Sequence, residues 1–193
     1  MCIRDSVKTM VDNIKQTNPT LIDDLIPGTI SLGYLEKVLC LLLREGVPIR
    51  DMETILETLG DHAGALKDID IVTEYVRQAL KRTITRRFAE ANSLRVITVD
   101  PKVEDTIVAS VKKSEAGSYL AMDPDLIQKI VNITSGEIDK VKDVIPNIII
   151  LTSPIVRIYF KKLIDQFIPN ITVLSYSEID NTAQIQAIGN IAM

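Results

Sequence analysis

The sequence predicts an α+β chain of two subdomains. An all-α helical subdomain spans residues 7–92. An α/β subdomain with a small, mostly parallel sheet follows over residues 93–193. Three observations lead there. Leucines, isoleucines and valines recur at helical spacing through the first half. The β-branched run Arg95–Val99 (RVITV) then breaks that rhythm. Beyond it, short apolar runs alternate with helices that open on Asp-Pro or Ser-Pro, as strand–helix–strand units do.

The first six residues, MCIRDS, join no pattern that follows and are set apart as a scar. Asn18-Pro19 reads as an N-cap with Pro at the first helical position, and the short helix it opens carries Leu21, Ile22 and Leu25 before stopping at Pro27-Gly28. Leu32, Leu35, Val38, Leu39, Leu42 and Leu43 line the next helix, which Gly46 ends. Pro48 is placed to start another, with Ile49, Met52, Ile55, Leu56 and Leu59 inward. One longer helix is expected from Val72 to Phe88, with Val72, Tyr75, Val76, Ala79, Leu80 and Ile84 inward. In the second half, Asp100-Pro101 opens a helix with Val103, Ile107, Val108 and Val111 inward. Ser118–Met122 is read as a second strand. Asp123-Pro124 opens a helix through Leu126, Ile127, Ile130, Val131, Ile138 and Val141. Asn147–Leu151 (NIIIL) is a continuous apolar run, the pattern of a strand covered on both faces. Ser153-Pro154 starts a helix with Ile155, Ile158, Tyr159, Leu163 and Phe167 on one side. Ile171–Leu174 and Ile185–Ile191 are the remaining strands, the last at an edge.

Composition bounds what such a chain can do. With 193 residues, 46% hydrophobic and 25% charged, it is ordinary globular material. Aromatics are 4% and Trp is absent, so a base-stacking platform has little to build on. The net charge of −4 opposes general phosphate binding. Two cysteines, Cys2 and Cys40, make neither a disulfide scaffold nor a four-thiolate zinc site. Cys40 reads as a buried inert thiol. A single histidine, His62, lies near a helix end with no nucleophile elbow around any serine. No run approaches the length needed to cross a bilayer.

Candidate motifs resolve into structural readings. Gly28–Gly33 has phosphate-loop glycine spacing, but Tyr34 and Leu35 stand where Lys and Ser/Thr would be, so it reads as a turn. Leu35–Leu59 could form a helix-turn-helix. Its second helix carries Asp51, Glu53 and Glu57 against one base, Arg50, which suits a helical hairpin better than a DNA reader. Asp100, Glu104, Asp105, Asp123 and Asp125 sit at helix starts, where acids cap and offset the dipole. Arg77, Lys81, Arg82, Arg86 and Arg87 fall in an acid-free stretch. They can offset a helix C-terminus, or form half of a head-to-tail subunit contact against the acids around Asp51, Glu53, Glu57 and Asp61. Arg50, Asp51, Glu53, Glu57, Arg82 and Arg86 are therefore the candidate contact residues. No catalytic residue, metal ligand or cofactor is identified. A small enzyme built on the α/β half and a helix-turn-helix regulator remain as readings of another class.

The wording of several blocks goes further. Leu41–Asp51 (LLLREGVPIRD), Met52–Leu59 (METILETL), Val72–Leu80 (VTEYVRQAL), Arg95–Pro101 (RVITVDP), Gly117–Pro124 (GSYLAMDP), Leu151–Arg157 (LTSPIVR) and Val173–Ile179 (VLSYSEI) resemble, in order, the FlhA family of flagellar biosynthesis proteins and its injectisome relatives. The resemblance runs from about Val7 to the last residue. It implies the final helical and α/β subdomains of the cytoplasmic part of a type III secretion export gate. That part forms a nonameric ring at the cytoplasmic face of the bacterial inner membrane and docks export substrates and chaperones, without catalysis. It implies contacts with self and other export-apparatus proteins, none with nucleic acid, and no direct membrane contact by this segment. The membrane domain and main docking cleft would lie upstream, and the isolated segment is expected to be monomeric. The GSYLAMDP block favours the flagellar branch over a virulence injectisome homologue.

Overall fold

The structure, a computed structural model, describes residues 3–114, 117–143, 145 and 147–193. The chain divides into two units, Met1–Arg87 and Phe88–Met193.

In the first unit the helices are α1 (Ile3–Thr17), α2 (Pro19–Leu25), α3 (Leu32–Arg44), α4 (Met52–His62), α5 (Ile69–Ala79) and α6 (Lys81–Phe88). Residues 3–6, set apart in the sequence reading, form the first turn of α1, where the Asp5 carbonyl accepts from Thr9 Oγ1 at 2.9 Å. Met1 and Cys2 lie outside the described residues. Val7 and Val11 are the buried stripe of α1, an element the sequence reading did not single out. Asn18 caps α2 as expected, its Oδ1 accepting from Leu21 N at 3.3 Å. α3 ends in a Schellman motif. Gly46, at φ 70°, lets Val47 N reach Leu42 O at 2.9 Å and its own N reach Leu43 O at 3.0 Å.

Three expectations fail here. α4 starts at Met52, not at Pro48, because Asp51 supplies a side-chain cap to Thr54 N at 3.3 Å. The long helix is two, since Leu80 leaves helical geometry with ψ 13°. And α3 packs on α1 and α5 while α4 packs chiefly on α5, so the two are no simple hairpin. The core of this unit is aliphatic: Leu35, Val38, Leu42, Ile55, Leu56, Leu59, Val72, Val76 and Ile84 are fully buried. Leu43 and Tyr75, read as inward, are exposed. The Tyr75 ring stacks on His62 instead, with centroids 4.2 Å apart. Arg77 is buried in α5 and pairs with Glu45 at the end of α3, Nη1 to Oε2 3.2 Å.

The second unit is built on β1 (Ser93–Val99), β4 (Ile149–Thr152), β5 (Thr172–Ser175) and β6 (Gln184–Ile191), with α7 (Pro101–Ala109), α8 (Pro124–Val141) and α9 (Pro154–Ile164). The order is β5-β4-β1-β6 and every pair is parallel, Ile97 standing opposite Ile150 and Ile150 opposite Val173. β4 is buried at each of its positions, as its unbroken apolar run requires. Asp100 and Asp123 cap α7 and α8, each accepting an N–H two residues on at 2.9 Å. Ser153 does not cap α9 with its side chain. Its N–H donates instead to Glu104 Oε1 at 2.7 Å.

The segment read as a second sheet strand is placed elsewhere. Gly117–Leu120 is β3, paired antiparallel with β2 (Val111–Ser114) in a separate hairpin. Its partner is the strand next to it in the chain, and Tyr119 is exposed there. Val111 accordingly belongs to β2, and Val108 faces solvent. In α9 the inward stripe is Val156, Tyr159, Phe160 and Leu163, while Ile155 and Phe167 are exposed.

One buried ion pair ties this unit together. Arg157 Nε and Glu178 Oε1 are 3.5 Å apart with both side chains removed from solvent. Arg157 Nη1 also donates to Val173 O at 3.4 Å, and Glu178 Oε2 accepts from Ser175 N at 3.3 Å. A buried pair adds little net stability, but removing one partner strands a charge. Glu178→Ala should cost about 3–5 kcal/mol in urea unfolding, and Arg157→Met combined with Glu178→Leu should recover much of it. Equal losses for the single and double variants would refute this.

In the first unit, burial and the carboxylate of Asp68 push the Tyr34 phenol above its ordinary 10.0. Its hydroxyl is buried with no hydrogen-bond partner among the described residues. The folded state therefore holds this proton longer than the unfolded chain. The contribution is complete below pH 10 and is lost as pH rises through the folded value. Tyr34→Phe should be neutral or stabilising at pH 7 and should flatten the fall in unfolding free energy above about pH 10. A variant with an unchanged alkaline slope would remove this account.

Candidate interaction surfaces

The sequence singles out two charged patches, and the helices present both. On α4, Glu53 and Glu57 stand one turn apart and Asp61 continues the row; all three are exposed, as are Arg50 and Asp51 just before them. Two of these acids also have local work. Asp51 caps its own helix, and Glu53 Oε1 accepts from Asn18 Nδ2 at 3.2 Å across to the start of α2. On α6, Arg82 and Arg86 are likewise one turn apart and exposed, with Arg87 beside them. Arg77 leaves this group, because it is buried against Glu45. The structure thus places the acids on one helix and the bases on another within a single unit.

The helical unit also holds a surface the sequence reading missed. A groove of about 540 Å³ runs along α3 and the start of α5. Cys40, Leu41 and Ile69 contribute its apolar lining, with Glu36, Lys37, Arg44 and Asp70 at its charged positions. Positions 33, 37, 40, 41 and 44 share one face of α3 by helical spacing, so half the groove was readable from periodicity. The other half needs α5 in place. Cys40 is half-buried in this groove and is not the fully buried thiol expected.

The remaining motifs take structural roles. Gly28–Gly33 is the turn between α2 and α3, with Thr29 N and Ile30 N donating to Leu25 O and Ser31 Oγ accepting from Tyr34 N at 3.1 Å. His62 ends α4 against Tyr75. In the α/β unit a cavity of about 10 Å³ lies beside Glu90, Ser93 and Arg95, room for about one water. Glu90 and Arg95 pair there at 3.0 Å. At the other end of the strands, the carboxylates of Asp100, Glu104 and Glu178 each accept a main-chain N–H. Among the described residues no group of His, Cys, Asp and Glu side chains is arranged to hold a metal ion, and no helix is long and apolar enough to cross a membrane.

Comparison with known proteins places this architecture. The FHIPEP family profile matches residues 1–184. Flagellar biosynthesis protein FlhA of Bacillus subtilis is 38% identical over 187 residues, which is 96% of this chain and 28% of that protein. The chain thus spans little more than a quarter of that relative's length. Among solved structures, Chlamydia pneumoniae CdsV superposes with a TM-score of 0.88 at 33% identity, over 98% of this chain and 54% of that one. CdsV has also been solved in complex with CdsO. The nonameric EPEC SctV-C superposes with a TM-score of 0.85 at 28% identity, over 97% of this chain and 56% of that one. A helical unit followed by a parallel α/β unit, matched over nearly the whole chain in sequence and in backbone, makes this chain a member of the FHIPEP family.

Proposed function

We propose that the chain is the last part of the cytoplasmic domain of a flagellar type III protein export gate, where it helps to form a ring and to dock export substrates and their chaperones without catalysis. The observation that carries this reading is the likeness of nearly the whole chain to a domain solved as a nine-membered ring. The flagellar branch is favoured by the GSYLAMDP block and by the higher identity to the Bacillus FlhA. Partners would include self and other components of the export apparatus, the latter supported by the CdsV–CdsO complex. The site would act at the cytoplasmic face of the inner membrane.

The two charged patches suit the ring contact. A cyclic ring needs a heterologous interface, in which one surface of a subunit meets a different surface of the next. The acids Asp51, Glu53 and Glu57 with Arg50, and the bases Arg82 and Arg86, would be the two halves. Exposed pairs are worth about 0.2–1 kcal/mol each, so they would set register more than they drive assembly.

Two measurements test this reading. In the complete cytoplasmic domain, Arg82→Glu with Arg86→Glu should weaken self-association about tenfold, and adding Glu53→Arg with Glu57→Arg should restore part of it. Unchanged sedimentation of the first pair of substitutions would remove these residues from the contact. Pull-down of the same domain with flagellar chaperones should capture at least one. Failure with all of them would end the docking claim.

A further inference from the structure

The two candidate half-contacts of the ring are carried from one helix. α5 packs against both α3 and α4. The acidic half, Asp51, Glu53 and Glu57, begins just beyond the end of α3 and runs along α4. The basic half, Arg82 and Arg86, lies on α6, which leaves the end of α5 at Leu80. A buried ion pair joins those two helix ends. Arg77, in the last turn of α5, has a side chain 1% exposed, and its Nη1 lies 3.2 Å from Oε2 of Glu45, the C-cap of α3.

Each partner is tied to the half-contact beyond it. Glu45 N donates to Leu42 O at 3.2 Å, Val47 N donates to the same carbonyl at 2.9 Å, and Val47 is fully buried. The chain therefore leaves α3 in one direction. Only a short non-helical segment separates Val47 from Asp51, whose carboxylate starts α4. On the other side, Leu80 N donates to Val76 O at 3.0 Å and Leu80 O accepts from Ile84 N at 2.9 Å, with Leu80 and Ile84 buried. The step from α5 to α6 is held as firmly as the turn out of α3.

We infer that Arg77 and Glu45 are positioning residues for ring closure, holding the acidic and basic half-contacts at the relative orientation that lets a head-to-tail ring close; the inference rests on the ring reading proposed above. A heterologous contact builds a closed ring only when the rotation from one subunit to the next is right, and an open helical arc otherwise. That rotation follows from the angle between the two half-contacts within one subunit, here the angle between α4 and α6. The apolar packing around α5, through Leu35, Val38, Val72 and Val76, is non-directional and fixes rotation weakly. An ion pair between a planar guanidinium and a carboxylate is directional, and fixing register is the best-attested use of a buried one. Buried as it is, Arg77 acts on the contact through the helices and not by touching a neighbour.

The test uses the complete cytoplasmic domain. Arg77→Met with Glu45→Gln removes both charges without stranding either, so its urea midpoint should stay near that of the unaltered domain. Mass photometry and negative-stain images should then show closed rings lost and open oligomers in their place. Glu45→Asp keeps both charges but draws the carboxylate back by a methylene. It should lower the closed fraction as well, and it decides the matter if the neutral pair does not fold. Arg157→Met with Glu178→Leu neutralises the buried pair of the other unit, and as the control it should leave closure unchanged. Folded Arg77 and Glu45 variants that still close rings overturn this inference alone. Closure lost equally in the control overturns it too, by tracing the loss to stability. So does loss of all association, which would place the pair in the contact itself. An unaltered domain that forms no ring fails the ring reading, and this inference with it.

Discussion

A parallel sheet must be covered on both faces, and in the α/β unit nearly everything follows from that. β4 is buried at every residue, and Ile97, Ile150 and Val173 stand in register across the layer. Covering such a sheet requires helical crossovers, since parallel neighbours cannot be joined by a tight turn. α9 lies on β4 and β5, α7 packs on α9, and α8 packs on β6. The same demand explains the buried Arg157–Glu178 pair. α9 must cross β5 closely enough to cover it, and the strand's carbonyls and the turn after it then need polar partners inside the core. Arg157 meets that need from the helix, and Glu178 neutralises the charge so introduced.

The helical unit solves the opposite problem. Its core is mainly aliphatic, with Thr73, Glu74, Arg77 and Thr85 buried among it, and many of its polar devices lie at helix ends. Asn18, Ser31, Asp51 and Asp68 cap, the Gly46 turn closes α3, and the Arg77–Glu45 pair joins the end of α3 to α5. The outward faces of α4 and α6 carry exposed charge, and Asp51 and Glu53 are also bonded locally. Glu57, Arg82 and Arg86 are exposed on such faces, which is where recognition can be varied without disturbing the core.

The candidate surfaces are exposed helix faces and a groove. In the α/β unit the carboxylates of Asp100, Glu104 and Glu178 accept main-chain N–H groups, and a cavity beside Glu90 has room for about one water. The described surface carries a groove along α3 and two charged helix faces. That agrees with membership of a family whose solved domains include a nonameric ring and a complex with a second secretion protein.

Local signals were legible wherever a residue acts through its own neighbours. The caps Asn18, Asp100 and Asp123, the stop at Gly46 and the buried run Asn147–Leu151 could be read directly, because capping, αL turns and two-sided burial are set within a few residues. The charged candidates were readable as exposed for the same reason. The ordered sequence blocks also established family membership on their own. What periodicity could not decide was partnership. Gly117–Leu120 has the composition of a strand, but only its pairing with β2 keeps it out of the main sheet. Arg77 reads as one base among five, and only Glu45 from α3 makes it a core residue. Arg157 and Glu178 lie far apart in the chain and meet because α9 crosses β5. The sequence by itself therefore determined most of the elements, several of their caps and the family. The tertiary structure alone decided which charges are buried and in what order the strands pair, because burial and pairing depend on what long-range packing brings alongside a residue.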